Sequence, residues 1–128
     1  MKEAYLEHTN LTVSDPDALA AILCKIFGWK IRWSGESMNN GYTVHVGNRD
    51  SYLAIYSSGR VHNATPNDLN AVKNLNHLGI VVDDIKEVEA KVVATNHTPG
   101  NHSQYNPGGV SFYFHTLDNL EIEVISYA

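Results

Sequence analysis

The sequence predicts an α+β fold built from two copies of a strand–helix–three-strand module in one chain. Three observations predict it. A shift of 69 positions carries His8 and its surroundings onto His77 and a second, similar segment. Each copy opens with an alternating run followed at once by helix punctuation. Each copy also closes on short alternating runs separated by Asn- and Gly-rich pieces.

The first module covers about residues 4–57. "AYLEHTNLTV" alternates and carries Leu, Thr and Val, which marks a strand. In "SDPDALAAILCKIFG", Asp15 has the short acceptor side chain of an N-cap, Pro16 suits the first turn, and Gly28 can close the helix. Leu19, Ile22, Ile26 and Phe27 are expected on one face of that helix. "WKIRWS", "GYTVHVG" and "YLAIYS" then read as strands, parted by "GESMNNG" and "GNRDS". Residues 58–74 are polar, contain Pro66 and lack periodicity, so they read as a linker. The second module, about 75–127, restarts with the strand "NLNHLGIVV" and the helix "DDIKEVEAKVVATN", whose Ile85, Val88 and Val92 share a side. "GGVSFYFHT" and "LEIEVISY" are strands, and "TPGNHSQYNPGG" should hold a short irregular strand and a turn.

A chain of 128 residues, 43% hydrophobic, can bury one core, so a single domain spanning 1–128 is expected. With 9 basic and 14 acidic residues the formal charge is -5, which gives no electrostatic reason to bind nucleic acid or an anionic membrane. Neutral or cationic small molecules fit better. Cys24 has no disulfide partner and reads as a small buried thiol. No segment nears the ~18 apolar residues of a membrane span, and "MKEAYLEH" lacks the apolar stretch of a signal peptide, so a soluble cytoplasmic protein is expected.

The repeat sorts side chains by face. The same shift takes Leu6 to Leu75, Leu11 to Ile80, Val13 to Val82 and Asp15 to Asp84, and it lays "YLAIYS" on "EIEVIS" so that Ala54 meets Glu123. Because strand side chains alternate, Thr9, Leu11 and Val13, like Leu78, Ile80 and Val82, face the helices, and His8 and His77 face away. In the last strand Leu120, Ile122 and Val124 take the helix side, leaving Glu121, Glu123 and Ile125 opposite. Phe112 and Phe114 are assigned to the helix side and Tyr113 and His115 to the other. Tyr52 and Tyr56 flank Ala54 on that same open face, where they can stack on a flat or cationic ligand. The register puts His45 on the helix side, where an unpaired imidazole is costly, so a local slip or an edge position is expected. His62, His97 and His102 read as solvated loop residues.

A sheet packed on one face can leave polar residues on the other simply in water. That accounts for any one of these side chains. It does not account for two histidines and a glutamate at positions the repeat relates, since these are common ligands of a divalent metal.

"EHTNLTVSDPDA", "GWKI", "NHLGIVVDD" and "SFYFHTLDNLEIEVISY" together resemble the vicinal-oxygen-chelate superfamily of glyoxalases, bleomycin-resistance proteins and extradiol dioxygenases. The resemblance implies two βαβββ modules whose mixed sheets curl into a cup with the helices on its outer face. It implies metal ligands from the first and last strands of each module, which here are His8, Ala54, His77 and Glu123. Alanine has no donor atom, so a four-ligand glyoxalase assignment is weakened. His8, His77 and Glu123 remain as a two-His, one-carboxylate set that leaves coordination positions open. The turn "LDNLEIE" departs from the family's usual form, and no basic phosphonate-binding tail follows Glu123, which disfavours the fosfomycin-modifying branch.

Two functions from different classes follow. One is a glyoxalase- or dioxygenase-like enzyme, a lyase or dioxygenase, whose divalent metal (Mn, Fe, Ni or Zn) binds a small oxygenated substrate, with Glu123 as the catalytic carboxylate. Tyr52, Tyr56, Tyr113 and His115 would then line the substrate. The other is a metal-free protein that sequesters a bleomycin-type drug in an aromatic, acidic groove. A degenerate paralogue with neither activity is the third. A homodimer is expected, because paired modules leave sheet edges to cover and small family members share sites between chains.

Overall fold

A computed structural model describes residues 2–62, 68–105 and 108–128. The chain divides into two compact units, Met1–His62 and Asn63–Ala128. Each has the order strand, helix, strand, strand, strand.

The first unit contains β1 (His8–Thr12), α1 (Pro16–Phe27), β2 (Lys30–Glu36), β3 (Tyr42–Gly47) and β4 (Tyr52–Ser57). Its sheet runs β1-β4-β3-β2, with β1 parallel to β4 and the other pairs antiparallel. Asp15 accepts the Ala18 N–H at 3.1 Å, Pro16 occupies the first turn, and Gly28 ends the helix at φ 70 with its N–H on the Cys24 carbonyl. Leu19, Ala20, Leu23 and Ile26 are buried together with Val44, Val46, Leu53 and Ile55. Leu19 and Ile26 thus face the core as expected. Ala20 and Leu23 replace Ile22 and Phe27, which are half-buried, because 3.6-residue spacing from Leu19 runs through Leu23 to Ile26. Each of these large side chains contributes roughly 1.5–3 kcal/mol by leaving water.

The second unit contains β5 (Leu78–Val81), α2 (Ile85–Ala94), β6 (Gly100–Gln104), β7 (Val110–Thr116) and β8 (Leu120–Ser126), in the sheet order β5-β8-β7-β6. Again the first and last strands are parallel. Asp84 caps α2 by accepting the Glu87 N–H at 3.1 Å. Val88 and Val92 on the helix, and Phe112, Phe114, Ile122 and Val124 on the sheet, form the buried side. Among the described residues no helix is long and apolar enough to cross a membrane.

Register shows how closely the units correspond. Thr9 pairs with Leu53 and Leu78 with Ile122, partners 44 positions apart in both. The 69-position shift therefore lays β1 and β4 onto β5 and β8 without slippage. Ala54, beside Asn10, and Glu123, beside Gly79, hold equivalent places. The inner hairpins differ by one residue. Four residues (48–51) join β3 to β4, and three (117–119) join β7 to β8. In consequence His45 lies opposite Ala54 as Tyr113 lies opposite Glu123. His45 is on the open face of an interior strand, not on the helix side that an unbroken repeat gives it. The local slip accounts for it, and an edge position does not. Both outer strands also carry a bulge or irregularity, between Ile31 and Trp33 and between Gly100 and Ser103.

Candidate metal centre

The open face of the second unit carries Tyr113, His115, Glu121 and Glu123, because Tyr113 pairs with Glu123 and His115 with Glu121 while Phe112 and Phe114 point to the helix side. His77 stands just before β5. Its Nε2 lies 3.2 Å from Glu123 Oε1, and its Nδ1 lies 2.7 Å from Asn76 Oδ1. With Nδ1–H donating to Asn76, a neutral ring carries its lone pair on Nε2, facing a carboxylate oxygen. Two acceptors so placed call for a positive charge between them, either a proton or a metal ion. Glu123 Oε2 accepts a hydrogen bond from the Tyr105 hydroxyl.

The donor spacing fits an ion. Two donors each about 2.1 Å from one cation and 90–110° apart are about 3.0–3.4 Å from each other. On β5, the neighbour of Glu123 is Gly79, and a Cβ added there meets nothing within 4 Å, so that side of the carboxylate is open. Within neither unit do three His, Cys, Asp or Glu side chains gather closely enough to hold a metal among the described residues. His77 and Glu123 bring two donor atoms together, one nitrogen and one oxygen.

Tyr113 sits against this pair, its ring 5.4 Å from His77 in an edge contact. Burial, its hydrogen bond to Tyr105 and the Glu123 charge push its phenol up to about 12. His115 Nε2 is 3.2 Å from Glu121 Oε2, so the second carboxylate of the face is already engaged. A cavity of about 210 Å³ adjoins Asn76 and Glu121, walled also by Asp68, Leu69, Asn74 and Leu75. It is small for a drug-sized ligand.

The first unit's open face is arranged differently. His8 Nδ1 donates to Glu7 Oε1 at 2.9 Å, which leaves Nε2 free for a ligand. Glu7 and Asn76 are themselves related by the 69-position shift, so each histidine is oriented by the residue before it. The His8 and Tyr52 hydrogen bonds hold the Glu7 carboxyl below its usual range. Tyr52 stacks on His8 with centroids 5.0 Å apart, donates to Glu7 Oε1 at 3.2 Å, and lies under the Arg32 guanidinium at 4.3 Å. His45 follows at 4.7 Å from Tyr52, and Trp33 at 5.1 Å from His45. Burial, with His8 and Arg32 nearby, pulls the His45 imidazole below its ordinary value. Tyr56 is on the same face but is tied to the Met38 carbonyl at 2.8 Å.

Of the residues singled out from sequence, His77, Glu123 and Tyr113 come together in the second unit and His8 and Tyr52 in the first. His115 is drawn to Glu121, and Tyr56 to a loop carbonyl. His97 and His102 are not free loop residues. His97 bridges Thr95 and Thr116 at 2.9 and 3.1 Å, and His102 lies on β6 within 3.1 Å of both Glu89 oxygens. Glu7, Asn76 and Tyr105 were not anticipated. The repeat held the signal for the first two, each immediately ahead of its histidine; Tyr105 has none beyond being an aromatic in an irregular loop.

Residues 5–124 match the Glyoxalase/Bleomycin resistance protein/Dioxygenase superfamily. The chain belongs to that superfamily. No curated protein sequence is significantly similar to it. Among solved structures it is similar to a glyoxylase/bleomycin resistance protein/dioxygenase domain from Frankia sp. EAN1pec, at TM-score 0.79 and 17% identity over 99% of this chain and 100% of that one. It is similar to the fosfomycin resistance protein FosX of Listeria monocytogenes, in complex with Mn(II) and sulfate, at TM-score 0.71 and 17% identity over 100% and 95%. It is similar to lactoylglutathione lyase from Agrobacterium tumefaciens at TM-score 0.69 and 17% identity over 98% and 96%. At these identities the likeness establishes the fold.

Proposed function

We propose that this chain is a glyoxalase- or dioxygenase-like metal-dependent enzyme in which His77, Glu123 and His8 hold a divalent Mn, Fe, Ni or Zn ion against a small oxygenated substrate. The observation that carries the reading is the approach of His77 Nε2 to Glu123 Oε1 at 3.2 Å with Nδ1 engaged elsewhere. The matching Glu7–His8 hydrogen bond supports His8 as the third donor, supplied by the same chain or by a second copy in a cytoplasmic homodimer. When bound, such an ion supplies Lewis-acid stabilisation of an enolate, alkoxide or similar oxyanion, the chemistry of a lyase or a dioxygenase. Asn76 fixes the His77 tautomer. Glu123 contributes the negative charge and is the catalytic carboxylate. Tyr113, a protonated phenol at neutral pH whose hydroxyl is engaged with Tyr105, lines the site and is no base. His115 and Tyr52 line the same faces. The net charge of -5 directs the protein to small molecules and away from nucleic acid and anionic membranes. Elemental analysis of protein purified without chelator, followed by Mn(II) titration, tests this: wild type should hold about one ion per site and His77→Ala should lose it. A wild type that neither carries nor binds a divalent ion would end the metal reading.

The first unit's stack of His8, Tyr52, His45 and Trp33 with Arg32 favours a second reading, sequestration of a planar drug of the bleomycin kind without metal. Drug binding that survives both EDTA and Glu123→Ala distinguishes it.

A further inference from the structure

We propose that Tyr105 is a positioning residue that keeps Glu123 a one-oxygen ligand, holding Oε2 on its phenol so that Oε1 alone faces the cation and an extra coordination position stays free for substrate. The inference rests on the metal reading of His77 and Glu123. The two oxygens of Glu123 have partners of different kinds. Oε1 faces a ring nitrogen whose other nitrogen is engaged, which is the environment of a shared cation. Oε2 receives a hydroxyl proton from Tyr105, which is the environment of an outer-shell hydrogen bond.

Tyr105 is itself held. Its backbone N–H donates to the Gly109 carbonyl at 2.8 Å. Gly109 sits at φ +116, and a Cβ there would lie 2.9 Å from the Tyr127 ring, so this position requires glycine. Tyr113 adds a second phenol hydrogen-bonded to Tyr105. The Tyr105 proton takes up one lone pair of Oε2 and withdraws its charge, which makes Oε2 the poorer second donor to an ion on Oε1. A six-coordinate ion with three single-atom protein donors keeps three open positions, and a bidentate Glu123 leaves two.

Mn(II) alone is the probe, added to the full chain, and its enhancement of water-proton relaxation is measured at matched occupancy for wild type and Tyr105→Phe. Removing the hydroxyl should lower the relaxivity per bound Mn(II) by about one third, the loss of one of three waters. A role in folding alone would lower occupancy without changing the waters per bound ion. The substitution deletes one hydroxyl from a side chain that is 40% exposed, and thermal unfolding run alongside verifies that both proteins are folded. Unchanged relaxivity per bound ion in Tyr105→Phe overturns the positioning role and leaves the metal reading standing. Failure of the folded wild type to bind Mn(II) overturns the metal reading and the positioning role together.

Discussion

Replacing Glu123 by alanine separates a ligand from a structural residue. The side chain is 11% exposed and has two partners, His77 and Tyr105. Both partners reach solvent, so each lost bond costs about 0.5–1.5 kcal/mol net, and water takes its place. Removing a carboxylate that folding had to desolvate offsets part of that loss. Alanine is also sterically proven at this point of the scaffold, since Ala54 occupies the equivalent place and is 2% exposed. The metal-free stability should therefore fall by only about 1–2 kcal/mol. Metal response is the larger effect. A cation bound only by the folded state at 100 times its Kd stabilises by about 2.7 kcal/mol. For a chain of this size that raises Tm by about 10 °C. Thermal unfolding of wild type and Glu123→Ala, each with and without Mn(II), Ni(II) or Zn(II), should show the rise in wild type and none in the variant. An equal rise in both proteins would refute Glu123 as a ligand, and a flat response in wild type would refute the site.

Asn76→Ala should leave folding stability within about 0.5 kcal/mol of wild type, because Asn76 is exposed, yet weaken Mn(II) binding about 10–100-fold by freeing the His77 ring, as isothermal titration would read. Absorbance near 295 nm should show Tyr113 resisting ionisation until about pH 12. Since its folded value lies above the ordinary 10, its stabilising contribution is intact below pH 10 and is lost as pH rises toward 12; disappearance of the late phase in Tyr113→Phe assigns it. Refolding His8→Ala together with His77→Ala should restore partial Mn(II) binding if sites are shared between chains, since each heterodimer then holds one intact site. Heterodimers that bind nothing would place all three ligands on one polypeptide.

The helices and faces were legible because their signals are local. Asp15, Pro16 and Gly28 act within one turn of the helix end they define, and the alternation around Phe112 to His115 is set by the pleat alone. The equivalence of β1 and β4 with β5 and β8 was legible in the repeat, and both parallel registers span the same distance. That His45 leaves the helix side was legible from the cost of burying it there, but the site of the slip was not. One additional residue in the turn 48–51 reverses which side of β3 faces the helix, and a turn's length is invisible until its strands are paired. Glu7 and Asn76 carry a period-69 signal too weak to single out among polar neighbours. Tyr105 is set by its contacts to the Gly109 carbonyl and to Glu123 on another strand, which are tertiary features.

The two units also show how one scaffold comes to carry different chemistry on equivalent faces. Where the second unit sets Glu123 opposite Tyr113, the first sets Ala54 opposite His45. A glutamate at 54 would bring a carboxylate to a buried position beside Asn10, with His45 across the strand pair. Desolvating it would cost several kcal/mol unless a cation compensated. Alanine removes that demand, and the space is used by rings: Tyr52 lies against both His8 and His45 and takes Arg32 over its face. The first unit's face is therefore aromatic, with Glu7 and Arg32 of opposite charge about Tyr52, whereas the second concentrates Glu121 and Glu123 beside the Tyr113 phenol. Reinstating the carboxylate by Ala54→Glu should then damage metal-free stability and raise metal affinity, in opposition to Glu123→Ala, which should leave the first nearly intact and abolish the second.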